Sequence, residues 1–228
     1  MSFTLSRFVP WGRSYDEYIS MFSLSPSDLK NSILGCSDGP ASFNSVLSKQ
    51  KGAVVSVDPL YSCTVEQIKR RINETYETVL EQTRKNRNEF VWKNIGSVDE
   101  LGKIRMSAMN EFLKDYEKGK KEKRYINAGV PELPFRDNQF DIALCSHFLF
   151  LYSEQLSEEF HFDSIKELCR VAKTVRIFPV LELGSERSRH LDAIMKRLGK
   201  DGVEVHLRKV AYEFQKGGNE MLELTKFD

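Results

Sequence analysis

The chain has 228 residues, with 34 basic against 33 acidic side chains, a formal net charge of +1 and a pI near 7.6. That near-neutral balance offers no global field to a polyanion, which argues against a nucleic-acid partner. With 40% hydrophobic residues the chain is not disordered, and no apolar run approaches the roughly 18 residues of a bilayer span, so stable membrane insertion is not expected.

The N-terminal stretch has no apolar segment long enough for a signal peptide, so the expected compartment is the cytoplasm. The four cysteines, Cys36, Cys63, Cys145 and Cys169, form no CxxC pair and read as reduced thiols. No repeat and no linker breaks the chain, so a single domain over 1–228 is expected, with 1–30 as an N-terminal helical cap. A homodimer is compatible with such a chain.

In chain order, Ser14 and Glu17 form a capping box for a helix carrying Tyr18, Ile19, Met21 and Phe22. Strand one is Ser32–Cys36. The turn Ser37-Asp38-Gly39-Pro40 leads into a helix from Ala41 to Lys49. Strand two is Ala53–Asp58, stopped by Pro59. A helical insertion then fills 61–123, far longer than an ordinary crossover. In it, Thr64 and Gln67 open one helix and Ser97 and Glu100 a second, each followed by apolar residues at helical spacing. The insertion either packs or caps a pocket, and the run Lys118–Lys123 reads as a solvated loop. Strand three is Arg124–Asn127, strand four Phe140–Cys145 and strand five Thr174–Val180. The last two, Val203–Val210 and Met221–Phe227, flank a glycine turn at Gln215–Asn219 and predict an antiparallel hairpin on the sheet edge. The whole is an α/β fold: a seven-stranded, mostly parallel sheet with helices on both faces.

In such a sheet ligands bind beyond the carboxyl ends of the strands, at the switch point. Small residues from Gly35 to Ala41 let the backbone approach a ligand, unless the turn is only a tight connection. Asp58 can accept two ribose hydroxyls, or can simply cap the turn before Pro59. His147, just past strand four, suits a general base or a backbone-bonded imidazole. His161 has no ligand spacing for a metal with Asp163 and reads as a surface or helix-start histidine.

The stretch from Glu132 to His147, Leu133-Pro134-Phe135 followed by Phe140-Asp141, resembles the class I S-adenosylmethionine-dependent methyltransferases. The glycine turn and Asp58 are similar to that family's cofactor turn and ribose acid. The resemblance implies a Rossmann-like fold, S-adenosylmethionine as cofactor and a small-molecule acceptor. It implies cofactor contacts at Gly35, Cys36, Ser37, Gly39, Asp58, Pro59, Gly129, Val130 and Ser146, with Arg13 on the cofactor carboxylate and His147 as the catalytic base. Tyr15, Tyr18, Phe148 and Arg187 are the expected substrate-pocket residues, Arg187 for an anionic group at a helix start. The sequence departs from the family's pattern: neither Gly35 nor Ile33 supplies an acidic residue before the turn, and Asp38 is a candidate to substitute. A non-catalytic cofactor-binding protein is the alternative. A nicotinamide-dependent oxidoreductase would want a Gly-x-Gly-x-x-Gly turn, which Gly35, Ser37 and Pro40 do not supply.

Overall fold

A computed structural model describes residues 9–226; residues 1–8 of the expected cap, and Phe227 of the expected last strand, lie outside the described residues. The elements are α1 (Tyr15–Met21), β1 (Ser32–Cys36), α2 (Phe43–Lys49), β2 (Ala53–Val57), α3 (Val65–Lys85), α4 (Val98–Lys121), β3 (Tyr125–Ile126), β4 (Phe140–Ser146), α5 (Glu158–Val171), β5 (Ala172–Phe178), α6 (Leu191–Lys200), β6 (Val203–Lys209) and β7 (Glu220–Lys226). The strands form one sheet in the order β3-β2-β1-β4-β5-β7-β6. β7 runs antiparallel to both β5 and β6; the other pairs are parallel. The chain therefore reverses its winding between β1 and β4, and the crevice at that reversal is where the fold leaves room for a ligand.

Side chains alternate across the strands and sort the core into layers. Leu34, Cys36, Ala143, Cys145, Val175 and Ile177 face α5 and α6. Ile33, Val54, Ile142 and Leu144 face the other way, onto Tyr18 and Met21 of α1, Phe22 just after it, and Phe43 and Leu47 of α2. A third cluster joins Ile68 and Ile72 of α3 to Met109, Phe112 and Tyr116 of α4, under Tyr61 and Tyr125. The insertion is thus a helical hairpin docked beside the carboxyl end of β2.

The capping signals hold at α1 and α3, where side chain and backbone bond reciprocally. At α4 only half the box forms: Ser97 caps Glu100, whose carboxylate turns instead to the Gly96 amide. Three expectations change. Lys118–Lys123 is not a loop: α4 continues to Lys121, and its last-turn lysines sit where the helix dipole favours cations. His161 is not at the surface. It is fully buried at the start of α5, with ring nitrogens 2.8 and 2.9 Å from the Ser157 and Leu149 carbonyl oxygens, which replace water. The segment Gln215–Asn219 is more than a turn: Gln215 bridges to Phe90, and the Val91 amide donates to the Phe214 carbonyl, tying the insertion to the β6–β7 connection. Among the described residues no helix is long and apolar enough to cross a membrane, and no cluster of three or more His, Cys, Asp or Glu side chains is placed to hold a metal.

Candidate active site

The carboxyl ends of β1, β2 and β4 build the site. After β1 the chain turns through Ser37 and Gly39, both with positive φ (56° and 52°). Glycine takes that conformation at no steric cost, whereas Ser37 holds it against strain. The turn sends the Asp38 side chain back over the strand. Its carboxylate accepts from the Tyr18 phenol (2.8 Å) and the Ser56 hydroxyl (2.6 Å). A Cβ on Gly35 would lie 1.8 Å from Asp38 Oδ2. Asp38 therefore fills the space of the side chain that Gly35 lacks, and delivers a carboxylate from the turn rather than from the strand. Burial pushes this carboxyl up to about 6, against the hydrogen bonds from Ser56 and Tyr18.

Asp58 follows β2. Its Oδ2 accepts from the Gly39 amide (2.9 Å) and its Oδ1 from the Leu60 amide (2.7 Å). It therefore caps the turn at Pro59 and also pins the glycine turn, while each oxygen keeps acceptor capacity for a ligand. The Tyr61 phenol donates to the Gly39 carbonyl (2.8 Å) and locks the turn from the other side. The N-terminal segment presses on the same turn: the Ser42 amide donates to the Arg13 carbonyl, and a Cβ on Gly12 would meet the Pro40 carbonyl oxygen at 2.1 Å.

Past β4, His147 has φ 51°, a left-handed conformation unusual outside glycine. Its amide donates to the Phe178 carbonyl (2.6 Å) and its Nδ1 lies 2.9 Å from Ser146 Oγ. Burial, with Arg13 and Arg105 nearby, pushes the imidazole well below its ordinary value.

Two cavities meet at His147. The first, of about 370 Å3, lies over the turn, and Arg13, Tyr18, Ser37, Gly39, Asp58 and Pro59 line it, as do Gly129, Val130, Ser146, His147 and Phe148. Most of the expected site residues are thus brought together. Four are not. Gly35 is covered by the Asp38 carboxylate. Cys36 points to the α5 side, fully buried beside Cys145. Tyr15 stacks on Phe43 and donates to Gln50, outside the cavity. Arg187 pairs with Asp192 and Glu220 and lines neither cavity.

The second cavity, of about 120 Å3, lies beyond His147. The insertion supplies Val79, Thr83, Leu101 and Arg105, and the joined loops supply Phe90 and Phe214. Arg105 is fully buried and ion-paired with Glu17, which also accepts from the Tyr212 phenol (2.9 Å). Burial alone would raise the Glu17 carboxyl, but the Arg105 guanidinium holds it at about 2. Arg13 is pulled down to about 10 by burial and by Arg105. The sequence reading missed Arg105 and Glu17, although a signal existed. Arg105 takes a core position on α4, in helical register with Leu101, Ala108 and Phe112.

No family model matches the chain. The Uncharacterized protein MJ0045 of Methanocaldococcus jannaschii is 35% identical over 216 residues, 94% of this chain and 95% of that one. The chain belongs to the family of that protein. Among solved structures, magnesium protoporphyrin IX methyltransferase from Synechocystis PCC 6803 with bound SAH is similar at a TM-score of 0.50 and 13% identity, over 93% of this chain and 81% of that one. That likeness shows the fold, the Rossmann-like fold of class I S-adenosylmethionine-dependent methyltransferases.

Proposed function

We propose that the protein is an S-adenosylmethionine-dependent methyltransferase acting on a small-molecule acceptor. The observation that carries this reading is the pair of cavities joined at His147. One overlies the glycine turn and the Asp58 carboxylate, and the other is roofed by the insertion. A non-catalytic cofactor-binding protein has no use for the second.

The residues of the first cavity suit the cofactor. Asp58 offers oxygens to ribose hydroxyls, Gly39 leaves open space above its backbone, and Pro59, Leu60 and Val130 give apolar walls for a purine. The Arg13 guanidinium matches a carboxylate, and the Asp38 carboxylate matches a cation. Its volume is in the range of small-molecule sites. When bound, the cofactor supplies an electrophilic methyl group on a sulfonium.

The protein's own contribution is placement, exclusion of water and one proton transfer. The lid formed by Phe90 and Phe214 excludes water from the acceptor. His147 stands at the junction with Nδ1 engaged by Ser146, and Nε2 makes no hydrogen bond among the described residues. A neutral imidazole there accepts the proton that the acceptor releases. A weak base suffices, because an oxygen or nitrogen nucleophile becomes acidic as it gains its new bond.

The test is calorimetric titration with S-adenosylmethionine, S-adenosylhomocysteine and, as control, NADH. Micromolar binding of the first two, weakened at least tenfold in Asp58→Asn, is expected. Absence of binding, or preference for NADH, overturns the reading. Methyl transfer into a pool of small metabolites then separates an enzyme from a binder.

A further inference from the structure

We infer that the second cavity binds an acceptor through a carboxylate held on the Nε–Nη2 edge of Arg105. This rests on the methyltransferase reading and adds the acceptor's chemical class to it.

Arg105 is fully buried, on α4, at the wall of the cavity. Its Nη1 is bound by Glu17. The Tyr212 hydroxyl also approaches the guanidinium, yet among the described residues Nε and Nη2 have no acceptor. Those two N–H groups point the same way, and together they form the fork that matches the two oxygens of a carboxylate. The protein uses this edge elsewhere. Arg170 grips Glu167 through Nε and Nη2, both at 2.8 Å, and Arg189 grips Glu182 through the same pair. Buried donors are almost always paired in folded proteins, and charged ones most strictly. Two unpaired donors on one guanidinium edge are the mark of a site made for something else.

The local charge agrees. Among the described residues, Arg13 and Arg105 face one buried carboxylate, Glu17, and Arg13 Nε is likewise buried without an acceptor. His147 and Tyr212 are held neutral by burial, and the half-exposed Glu89 belongs to the lid. With Arg13 taken by the cofactor's carboxylate, Arg105 and Glu17 cancel, and a monoanion costs that buried pair less than a phosphate dianion does. Apart from Thr83 and Gln215, the remaining wall is mostly apolar, with Val79, Leu101, Phe178 and Leu183 and the aromatic lid above. The acceptor is therefore a compact, largely apolar molecule anchored by a carboxylate at Arg105, with its nucleophile turned to His147.

The experiment is calorimetry on the full chain saturated with S-adenosylhomocysteine. The probes are aliphatic and aromatic monocarboxylates (butyrate, benzoate, 4-hydroxybenzoate), each beside its amide, together with inorganic phosphate. The variant is Arg105→Lys, which keeps the positive charge for Glu17 and removes the fork. The expected result is binding of at least one carboxylate at least tenfold tighter than its amide. That preference should fall at least tenfold in Arg105→Lys while affinity for S-adenosylhomocysteine holds. If Arg105→Lys unfolds, the charge-free pair Glu17→Gln with Arg105→Met takes its place. Equal binding of acid and amide, no carboxylate binding to the saturated protein, or tighter binding of phosphate overturns the inference. Failure of S-adenosylhomocysteine to bind wild type overturns instead the methyltransferase reading on which it rests.

Discussion

Asp38 is a buried carboxylate with no cationic partner among the described residues, and its ionisation has a measurable cost. Its rise from the ordinary 3.8 to about 6 corresponds to about 3 kcal/mol. The sign follows from proton counts. Between those two values the folded chain holds a proton that the unfolded chain has released, so Asp38 lowers stability as pH rises through that window. The cost is fully present above about pH 6 and absent below about pH 4. Asp38→Asn removes the titration and keeps an acceptor for the Tyr18 phenol. Urea unfolding of both proteins from pH 4 to pH 7 isolates this group and its coupling to Asp58, because the uncoupled titrations cancel in the difference. The variant should gain on wild type by about 2 kcal/mol across that range. Gly35→Ala gives a second arm. Its Cβ drives out the carboxylate and takes the acceptor from the hydroxyls of Tyr18 and Ser56, residues 1% and 0% exposed. That should cost about 2 kcal/mol or more at pH 5 and less at pH 7, where expulsion relieves the ionisation cost. Curves for wild type and Asp38→Asn that stay parallel within about 0.5 kcal/mol would refute the account of Asp38 as a carboxylate folded back into the space of Gly35.

Three further outcomes follow from the geometry. Gly12→Ala places a Cβ against the Pro40 carbonyl oxygen and lifts the segment bearing Arg13, so calorimetry should read at least a tenfold loss of S-adenosylhomocysteine affinity with the urea midpoint little changed. His147→Gln should lower kcat by about 10²–10⁴ once an acceptor is in hand, with cofactor affinity kept. In wild type the acid limb of the kcat profile should fall well below pH 6.5, because His147 stays neutral until then. Glu17→Gln leaves the buried Arg105 without its carboxylate and should cost about 3–5 kcal/mol in urea unfolding, most of it regained in the double variant Glu17→Gln with Arg105→Met.

The order of elements was legible because most strands of this sheet are short apolar runs separated by turn residues or helical patterns. The insertion was legible because two capping signals open long amphipathic repeats. Boundaries moved where tertiary contacts decide them: β5 begins at Ala172, directly after α5, because pairing with Phe140 of β4 extends it. The site was partly legible. Asp58, Gly39 and His147 follow strand ends, and strand ends at a switch point are where sequence position implies spatial position. Arg187 also follows a strand, but Asp192 and Glu220 hold it away from the cavities, and no local pattern announces such partners.

The departure from the family's turn is where sequence and structure differ most in meaning. Read along the chain, glycine at 35 is a lost carboxylate. In three dimensions it is a vacated Cβ position that the side chain of residue 38 fills, because the positive φ of Ser37 turns the chain back toward the strand. The same carboxylate then depends on α1, since Tyr18 supplies one of its two hydrogen bonds, and on β2 through Ser56. α1 also carries Glu17, which holds Arg105 of the insertion. One short helix therefore couples the turn under the first cavity to the guanidinium at the wall of the second. Its capping box, with Ser14 bonding back through Glu17, fixes that carboxylate in place. Arg13 immediately precedes the cap and lines both cavities, so the N-terminal segment, expected from the sequence as a helical cap, is the element on which both halves of the site converge.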